Sequence, residues 1–255
     1  MHNKLKMKKT LPFLIILLFV QLTKAQENTR GSVKYEQVVK LEIKLEGDAA
    51  QFADMMPKER KSNKVLYFNP QVSLYENGEK EEDQNMLMNS GGANVMIRME
   101  EPENKVFTDL EKKKQVEQRE FMTRVFLIEG EVDQQWKLTG NQKMVLDFPC
   151  QEAIFEKDSS KIVAWFTPVI PVSGGPSNFG GLPGLILSVE QDNGKNTITA
   201  KSVDFSPVPK EKLEKPGKGK KVTREEFDQI VEEKMKEMGA EGGKGGTQMI
   251  FHIKR

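Results

Sequence analysis

Histidine is nearly absent: His2 and His252 are the only two in 255 residues. A Ser-His-Asp or Cys-His device needs a histidine set against its nucleophile. A zinc hydrolase usually needs two or three as ligands. Two histidines at the ends of the chain argue against both classes. Cysteine is scarcer still. Cys150 is the only one, so no intrachain disulfide can form. It sits in Phe148-Pro149-Cys150-Gln151-Glu152-Ala153-Ile154, a strand-like setting that reads as a buried structural thiol rather than a reactive one. An excess of charge is also missing, with 39 Lys and Arg against 38 Asp and Glu. The one basic stretch, residues 210–221, lacks interleaved aromatics, so nucleic-acid binding is not expected. There is no internal repeat.

Apolar runs are short as well. Residues 11–20, Leu-Pro-Phe-Leu-Ile-Ile-Leu-Leu-Phe-Val, form the longest. A membrane-spanning helix takes roughly 20 such residues, whereas the core of a secretion signal takes about 7–15. Lys4, Lys6, Lys8 and Lys9 precede the run without an acid, and Thr23-Lys24-Ala25 places small residues where a signal peptidase inspects them. Residues 1–25 are therefore read as a signal peptide cut after Ala25, giving a periplasmic or secreted protein with no membrane span left after cleavage. No cysteine lies near the cut, so a lipid anchor is not expected. Removing these residues takes away five lysines and no acid, which shifts the formal charge from +1 to −4. The remaining 230 residues are enough for a core without disulfide staples.

What the chain has in quantity is short alternating segments. From residue 33 the odd positions read Val, Tyr, Gln, Val, Leu, Ile, Leu, and the even ones are mostly polar. That period of two predicts a strand with one buried face. Further strands are expected at 64–68 and 72–75, around Asn69-Pro70, and at 94–99, 105–110, 115–120 and 124–129. Others are expected at 143–147, 150–155, 161–166, 185–190, 196–205 and 249–253. Residues 76–92 read as a polar loop, and Thr139-Gly140-Asn141 as a turn. Asp192-Asn193-Gly194 is the strongest hairpin signal. The parity slip between Ile198/Ala200 and Val203/Phe205 predicts a bulge. Many short strands without long helices between them indicate a mainly β fold built on an antiparallel sheet over 26–206.

Two helices are expected. One is short, near 48–58, with Phe52, Met55 and Met56 on one side. The other follows a basic Pro/Gly linker at 207–222 and covers 224–238 within a C-terminal helix and tail, 223–255. Thr223-Arg224-Glu225-Glu226 is a capping box for it. Phe227, Ile230, Val231, Met235 and Met238 form its apolar stripe, which is expected to pack on the sheet.

Residues 163–189 are unlike the rest. Pro168, Pro171, Pro176 and Pro183 rule out one continuous strand. Pro183-Gly184 suits the centre of a type II turn, and Leu185-Ile186-Leu187 suits a strand covered on both faces. Gly181-Leu182-Pro183-Gly184-Leu185-Ile186 is the hexapeptide that names the GLPGLI family of exported proteins from Gram-negative bacteria, and the chain resembles that family. The resemblance extends to Cys150-x-x-Ala153, Ala164-Trp165-Phe166-Thr167-Pro168, Ile170-Pro171, Gly175-Pro176, Phe179, Phe68-Asn69 and Ser73-Leu74-Tyr75. The Lys/Gly-rich tail after about Ser206 departs from it. The resemblance implies a curved antiparallel sheet or half-barrel of the lipoprotein-carrier type and an association with TonB-dependent receptor systems. It implies no established activity and no cofactor.

Three functions stay open. The first is a periplasmic binding or accessory protein, whose partner is an outer-membrane receptor, another envelope protein or an apolar ligand. Its candidate residues are Trp165, Pro171, Pro176, Phe179, Gly181, Leu182, Pro183 and Gly184, although the same loop could serve only to close the core. The second is a carboxylate-dependent hydrolase, with Asp109 or Asp147 as candidates among many acids. The third is soft-metal handling, because Met86, Met88, Met96 and Met99 offer thioethers that suit Cu(I).

Overall fold

The computed structural model describes residues 28–41, 43–44, 57–79, 85–90, 93–98, 101–157, 160–241 and 250–251. The strands are β1 Gly31–Lys40, β2 Ile43–Lys44, β3 Glu59–Phe68, β4 Val72–Asn77, β5 Asn85–Ser90, β6 Ala93–Arg98, β7 Asn104–Asp109 and β8 Lys114–Phe121. They continue with β9 Arg124–Glu131, β10 Lys137–Val145, β11 Phe148–Lys157, β12 Ser160–Thr167, β13 Leu185–Gln191, β14 Asn196–Asp204, β15 Lys220–Thr223 and β16 Ile250–Phe251. One long helix, α1, spans Arg224–Glu241.

Twelve strands form a single sheet in the order β10-β11-β12-β13-β14-β1-β3-β4-β7-β8-β9-β15. All neighbours are antiparallel except β15, which runs parallel to β9. The connectivity forces the sheet to curl. β9 and β10 lie ten strand spacings apart, about 48 Å if the sheet were flat. Residues 132–136 alone join them, and that span reaches at most about 22 Å from one strand to the next. The sheet therefore bends into an open half-barrel, the curved mainly β architecture expected.

Local chemistry explains several elements. Val33 and Tyr35 are buried on β1 and Lys34 is exposed, as the alternation requires. β1 ends at Lys40, earlier than the sequence pattern, and β2 pairs with β16 instead. Between β3 and β4, Asn69 Oδ1 accepts the N–H groups of Gln71 and Val72 at 2.8 Å each, an Asx turn followed by Pro70. Asp192, Asn193 and Gly194 all have positive φ between β13 and β14. The bulge expected in β14 is present: Lys34 pairs with Ser202 and Tyr35 with Ala200, leaving Lys201 extra.

Other expectations are corrected. The polar stretch 76–92 is not all loop, because β4 runs to Asn77 and β5 pairs with β6 in a separate hairpin. Thr139-Gly140-Asn141 is not a turn but an irregularity inside β10, where the register slips between Leu138 and Gln142. Thr139 Oγ1 and Asn141 Nδ2 donate to Glu152 at 2.6 and 2.8 Å, which holds the distorted strand in place. The helix expected over 48–58 lies outside the described residues, apart from Pro57 and Lys58.

Three groups of side chains make the core. The first joins Val33, Tyr35, Leu66, Phe68, Tyr75 and Val106 to Leu185, Leu187, Ile198 and Cys150. The second joins Ala153, Ile162, Ala164 and Phe166 to Phe179, Leu182, Ile186 and Val189. β13 feeds both. Consecutive strand residues point to opposite faces, and Leu185, Ile186 and Leu187 are all fully buried, so this strand is covered on both faces. The third group seats α1: Phe227 packs edge-on against Phe121 and Phe126, with Val222 and Ile128 around it. The capping box forms as the sequence requires. Thr223 N–H donates to Glu226 Oε2 at 2.8 Å, and Glu226 N–H donates to Thr223 Oγ1 at 3.1 Å. The apolar stripe ends sooner than predicted, since Met235 is 43% exposed. The helix itself runs past Gly239 to Glu241.

The basic stretch before α1 lies along the sheet. Its short 3-10 turn at Lys210–Leu213 sets Lys212 Nζ 3.0 Å from Glu76 and over the ring of Tyr67. β15 follows and adds a four-residue strand at the edge of the sheet beside β9.

Candidate functional site

Residues 168–184 connect β12 to β13 without regular secondary structure. Four prolines remove donors from this loop, so tight turns and neighbouring strands must satisfy the rest of its backbone. Val172 N–H donates to the Ile170 carbonyl at 2.8 Å, and Gly181 N–H to that of Ser173 at 2.9 Å. Leu185 N–H and Ile186 N–H donate back to Ile170 and Gly174. The expected type II turn at Pro183-Gly184 is absent. Gly184 N–H donates to the Leu182 carbonyl at 2.8 Å, the two-residue spacing of a γ-turn. Gly184 is needed there because a Cβ would lie 2.2 Å from the Thr167 carbonyl oxygen. The φ of about +80° that such a turn would need at Gly184 is found instead at Gly181, +82°, while Gly184 has +159°.

Side chains pin the loop from both sides of the gap in the half-barrel. The Tyr35 hydroxyl donates to the Ile186 carbonyl at 2.6 Å. From the far side, Gln115 Nε2 and Gln134 Nε2 both donate to the Asn178 carbonyl at 3.2 Å, and Trp136 Nε1 donates to that of Gly180 at 2.8 Å. The loop thus ties β1 and β13 to β8 and to the crossing at 132–136.

The candidate residues of this loop separate into two sets. Pro176, Phe179, Leu182 and Gly184 are buried and act as core, while Pro171, Gly181 and Pro183 are exposed. Trp165 is half-buried, with the Lys143 ammonium 4.2 Å above its ring. They do not share one surface. An apolar rim that the sequence reading passed over lies at the same end. Met144 is 61% exposed, Leu146 41% and Val169 43%. β10 pairs Met144 with Pro149, and β11 pairs Gln151 with Phe166, which sets Pro149 at the end of the sheet where Pro168 and Val169 leave β12.

The other candidates are also placed. Asp109 Oδ1 accepts the Lys112 N–H at 2.9 Å and Oδ2 meets its ammonium at 2.8 Å. These bonds from Lys112 hold its carboxyl below the usual range, opposite to the shift a general acid needs. Asp147 is an exposed turn residue between β10 and β11. On the β5–β6 hairpin Met86 pairs with Ile97, Met96 with Leu87 and Met88 with Val95, so no two methionines are cross-strand partners. Met99 lies outside the described residues. Burial pushes the Cys150 thiol up to about 11, as expected of a structural cysteine.

The register reveals a second feature. Val33, Leu66, Tyr75, Val106, Glu117, Ile128 and Val222 are successive cross-strand partners from β1 to β15. Directly paired residues share a face, and this row lies on the face that carries the core. The next row on that face is polar: Lys64 pairs with Asn77, and Asn104 with Arg119. Lys64 is buried, and its ammonium donates to Asn77 Oδ1 at 2.6 Å and to Glu101 Oε1 at 2.7 Å. Burial lowers its pKa, Glu101 opposes the shift, and Arg60 and Arg119 add to it. Arg60 lies 3.9 Å from Glu101. Buried Glu117 is paired with Arg119 at 2.5 Å and with Arg224 of α1. Arg119 also stands 5.8 Å from the ring centre of Phe227. Sequence reasoning missed this strip because its members come from five separated segments. The available signal was Lys64, which shares strand parity with buried Leu66 and Phe68.

Residues 26–188 match the Porph_ging family model, described as a protein of unknown function. No curated protein matches significantly. Among solved structures the chain is similar to PNGF-II in two crystal forms. In the P21 form the TM-score is 0.52 at 14% identity, covering 80% of this chain and 33% of PNGF-II. In the C2 form the TM-score is 0.51 at 16% identity, with 79% and 32% covered. This likeness concerns the fold, and the chain spans about a third of the PNGF-II length.

Proposed function

The chain belongs to the Porph_ging family, and from that premise we propose that it is an exported accessory protein of the bacterial envelope, docking to an outer-membrane receptor. The observation that carries this reading is the exposed apolar rim of Met144, Leu146 and Val169. It sits beside a loop whose backbone is fixed by Tyr35 and Trp136. Apolar side chains on rigid turns form a docking surface at little ordering cost. The Gly181–Ile186 hexapeptide supports the finer assignment to the GLPGLI group. The basic, then apolar, N-terminal 25 residues support export. In PNGF-II a comparable fold makes up only part of a longer chain, which fits a module that works beside other machinery.

The test is cross-linking in the native envelope. The wild type is expected to co-isolate with an outer-membrane receptor, and its mature N-terminus to be Gln26. Leu146→Asp combined with Val169→Asp should abolish the cross-link while leaving the chain folded, because neither side chain belongs to the buried core. A rim variant that cross-links as well as the wild type, or a wild type that captures no envelope protein, refutes the reading.

A further inference from the structure

Asparagine followed by glycine occurs twice in the chain, at Asn77-Gly78 and Asn193-Gly194. Such a pair has one reaction open to it. The glycine amide nitrogen carries no neighbouring Cβ to shield it, so it can attack the asparagine side-chain carbonyl. The two pairs read alike in the sequence, and the structure makes them opposites. Asn77 ends β4 and is half-buried. Its Oδ1 accepts from the Lys64 ammonium at 2.6 Å, and its Nδ2 donates to the Pro102 carbonyl at 3.0 Å. The side chain is therefore held at both ends. Gly78 N–H donates to the Asn63 carbonyl at 2.8 Å, which ties the attacking nitrogen to β3. A Cβ built on Gly78 would lie 3.0 Å from the Asn63 carbonyl carbon, so the backbone there is also hemmed in.

Asn193 stands exposed at the tip of the turn between β13 and β14, and its side chain has no hydrogen-bond partner among the described residues. The backbone bonds of this turn run from Asp192 N–H to the Lys161 carbonyl at 3.0 Å and from Lys195 N–H to the Gln191 carbonyl at 3.1 Å. Neither engages the Gly194 amide. The atoms nearest to a Cβ built on Gly194 are Lys40 Nζ at 3.6 Å and Glu190 Oε1 at 3.7 Å, the ends of flexible side chains. Nothing thus holds the Asn193 amide away from the Gly194 nitrogen.

We propose that Asn193 is a self-modification site at which the folded protein deamidates. A bond forms from Gly194 N to Asn193 Cγ, the Cγ–Nδ2 bond breaks, and ammonia leaves with the proton of the Gly194 amide. Water then opens the five-membered imide at either carbonyl. Opening at Cγ gives aspartate. Opening at the main-chain carbonyl of residue 193 gives isoaspartate, whose backbone runs through Cβ. Both products add a negative charge at neutral pH, and isoaspartate also lengthens the turn by one backbone atom. The strand ends beside the turn feel that change. Asn196 pairs with Gln191 and Val39, and Gln37 Nε2 donates to Asn196 Oδ1 at 3.0 Å. The site lies apart from the rim proposed for the receptor and does not depend on that reading.

The experiment incubates the full mature chain at pH 8, folded and in parallel in urea, and follows both asparagines by peptide mass spectrometry. An isoaspartyl methyltransferase assay reads the rearranged product. In the folded protein Asn193 is expected to convert at least about tenfold faster than Asn77, which reacts only when the end of β4 opens locally. In urea the two rates should converge, because the difference belongs to the fold. Isoaspartate should appear at position 193. Asn193→Asp should accumulate it as well, through the same imide formed by loss of water. An Asn193 that stays intact in the folded chain while it converts in urea overturns the proposal. So do equal folded rates at the two sites. Conversion to aspartate with no isoaspartate at position 193 means direct hydrolysis and overturns attack by Gly194.

Discussion

Replacing Tyr75 by phenylalanine removes one oxygen from the inward face and leaves the ring where it is. That oxygen is enclosed and makes no hydrogen bond among the described residues. A buried, unsatisfied hydroxyl costs about 1–3 kcal/mol, so Tyr75→Phe should raise stability by about 1 kcal/mol. For a chain of this size that is an increase of about 2–4 °C in unfolding temperature. Tyr35 is the internal control. Its ring meets that of Tyr75 edge-on with centroids 6.3 Å apart, and its hydroxyl donates to Ile186 at 2.6 Å. Tyr35→Phe deletes that bond inside the core and should lower stability by about 1–3 kcal/mol. Urea unfolding with an unchanged m-value measures both. Alkali sharpens the contrast. Burial holds both phenols well above the ordinary tyrosine range. Raised folded pKa values mean that stability is complete below about pH 10 and falls as the unfolded chain begins to ionise. Each phenylalanine variant should lose less over that range than the wild type. If Tyr75→Phe destabilises as much as Tyr35→Phe, the hydroxyl has a partner and this reasoning fails.

Further outcomes follow from the same geometry. Gly184→Ala should destabilise by more than about 2 kcal/mol in a urea titration, because the new methyl meets the Thr167 carbonyl at 2.2 Å. Gly140→Ala, where a Cβ meets nothing within 4 Å, should cost less, since only its backbone angle objects. Cys150 is 1% exposed with its thiol pushed up to about 11, so a thiol-specific disulfide reagent at pH 8 should label it only after denaturation. Phe227→Ala should lower stability by about 3–5 kcal/mol or release α1, seen as lost amide protection over 224–231. Thr223→Ala should cost about 1 kcal/mol through the cap alone.

Much of the fold was legible where the signal is local. Alternation marked β1, the capping box marked the start of α1, and the parity slip in β14 predicted the bulge at Lys201. The hairpin at 192–194 needed only the tolerance of Asn and Gly for positive φ. Other elements were hidden because a partner decides them. Thr139-Gly140-Asn141 has the composition of a turn, yet Glu152 on β11 holds it as a distorted strand. β15 lies in a lysine-rich segment, and only the free edge of β9 makes Lys220–Thr223 a strand.

The candidate site divides in the same way. The unusual loop at 168–184 was conspicuous from its prolines and glycines, because those residues constrain the backbone wherever they occur. Whether its side chains face solvent or core depends on what they pack against, and the curled sheet buried half of them. Local pattern was enough for most of the strands, their alternating faces, the capped helix and the absence of disulfides, since each rests on neighbours a few residues away. Only the tertiary structure decided that residues 132–136 draw the two sides of the sheet together and that Arg60, Lys64, Tyr75, Asn104 and Arg119 share one face. Strand pairing sets that proximity, and register across four strands is a sum of contacts that no single segment contains.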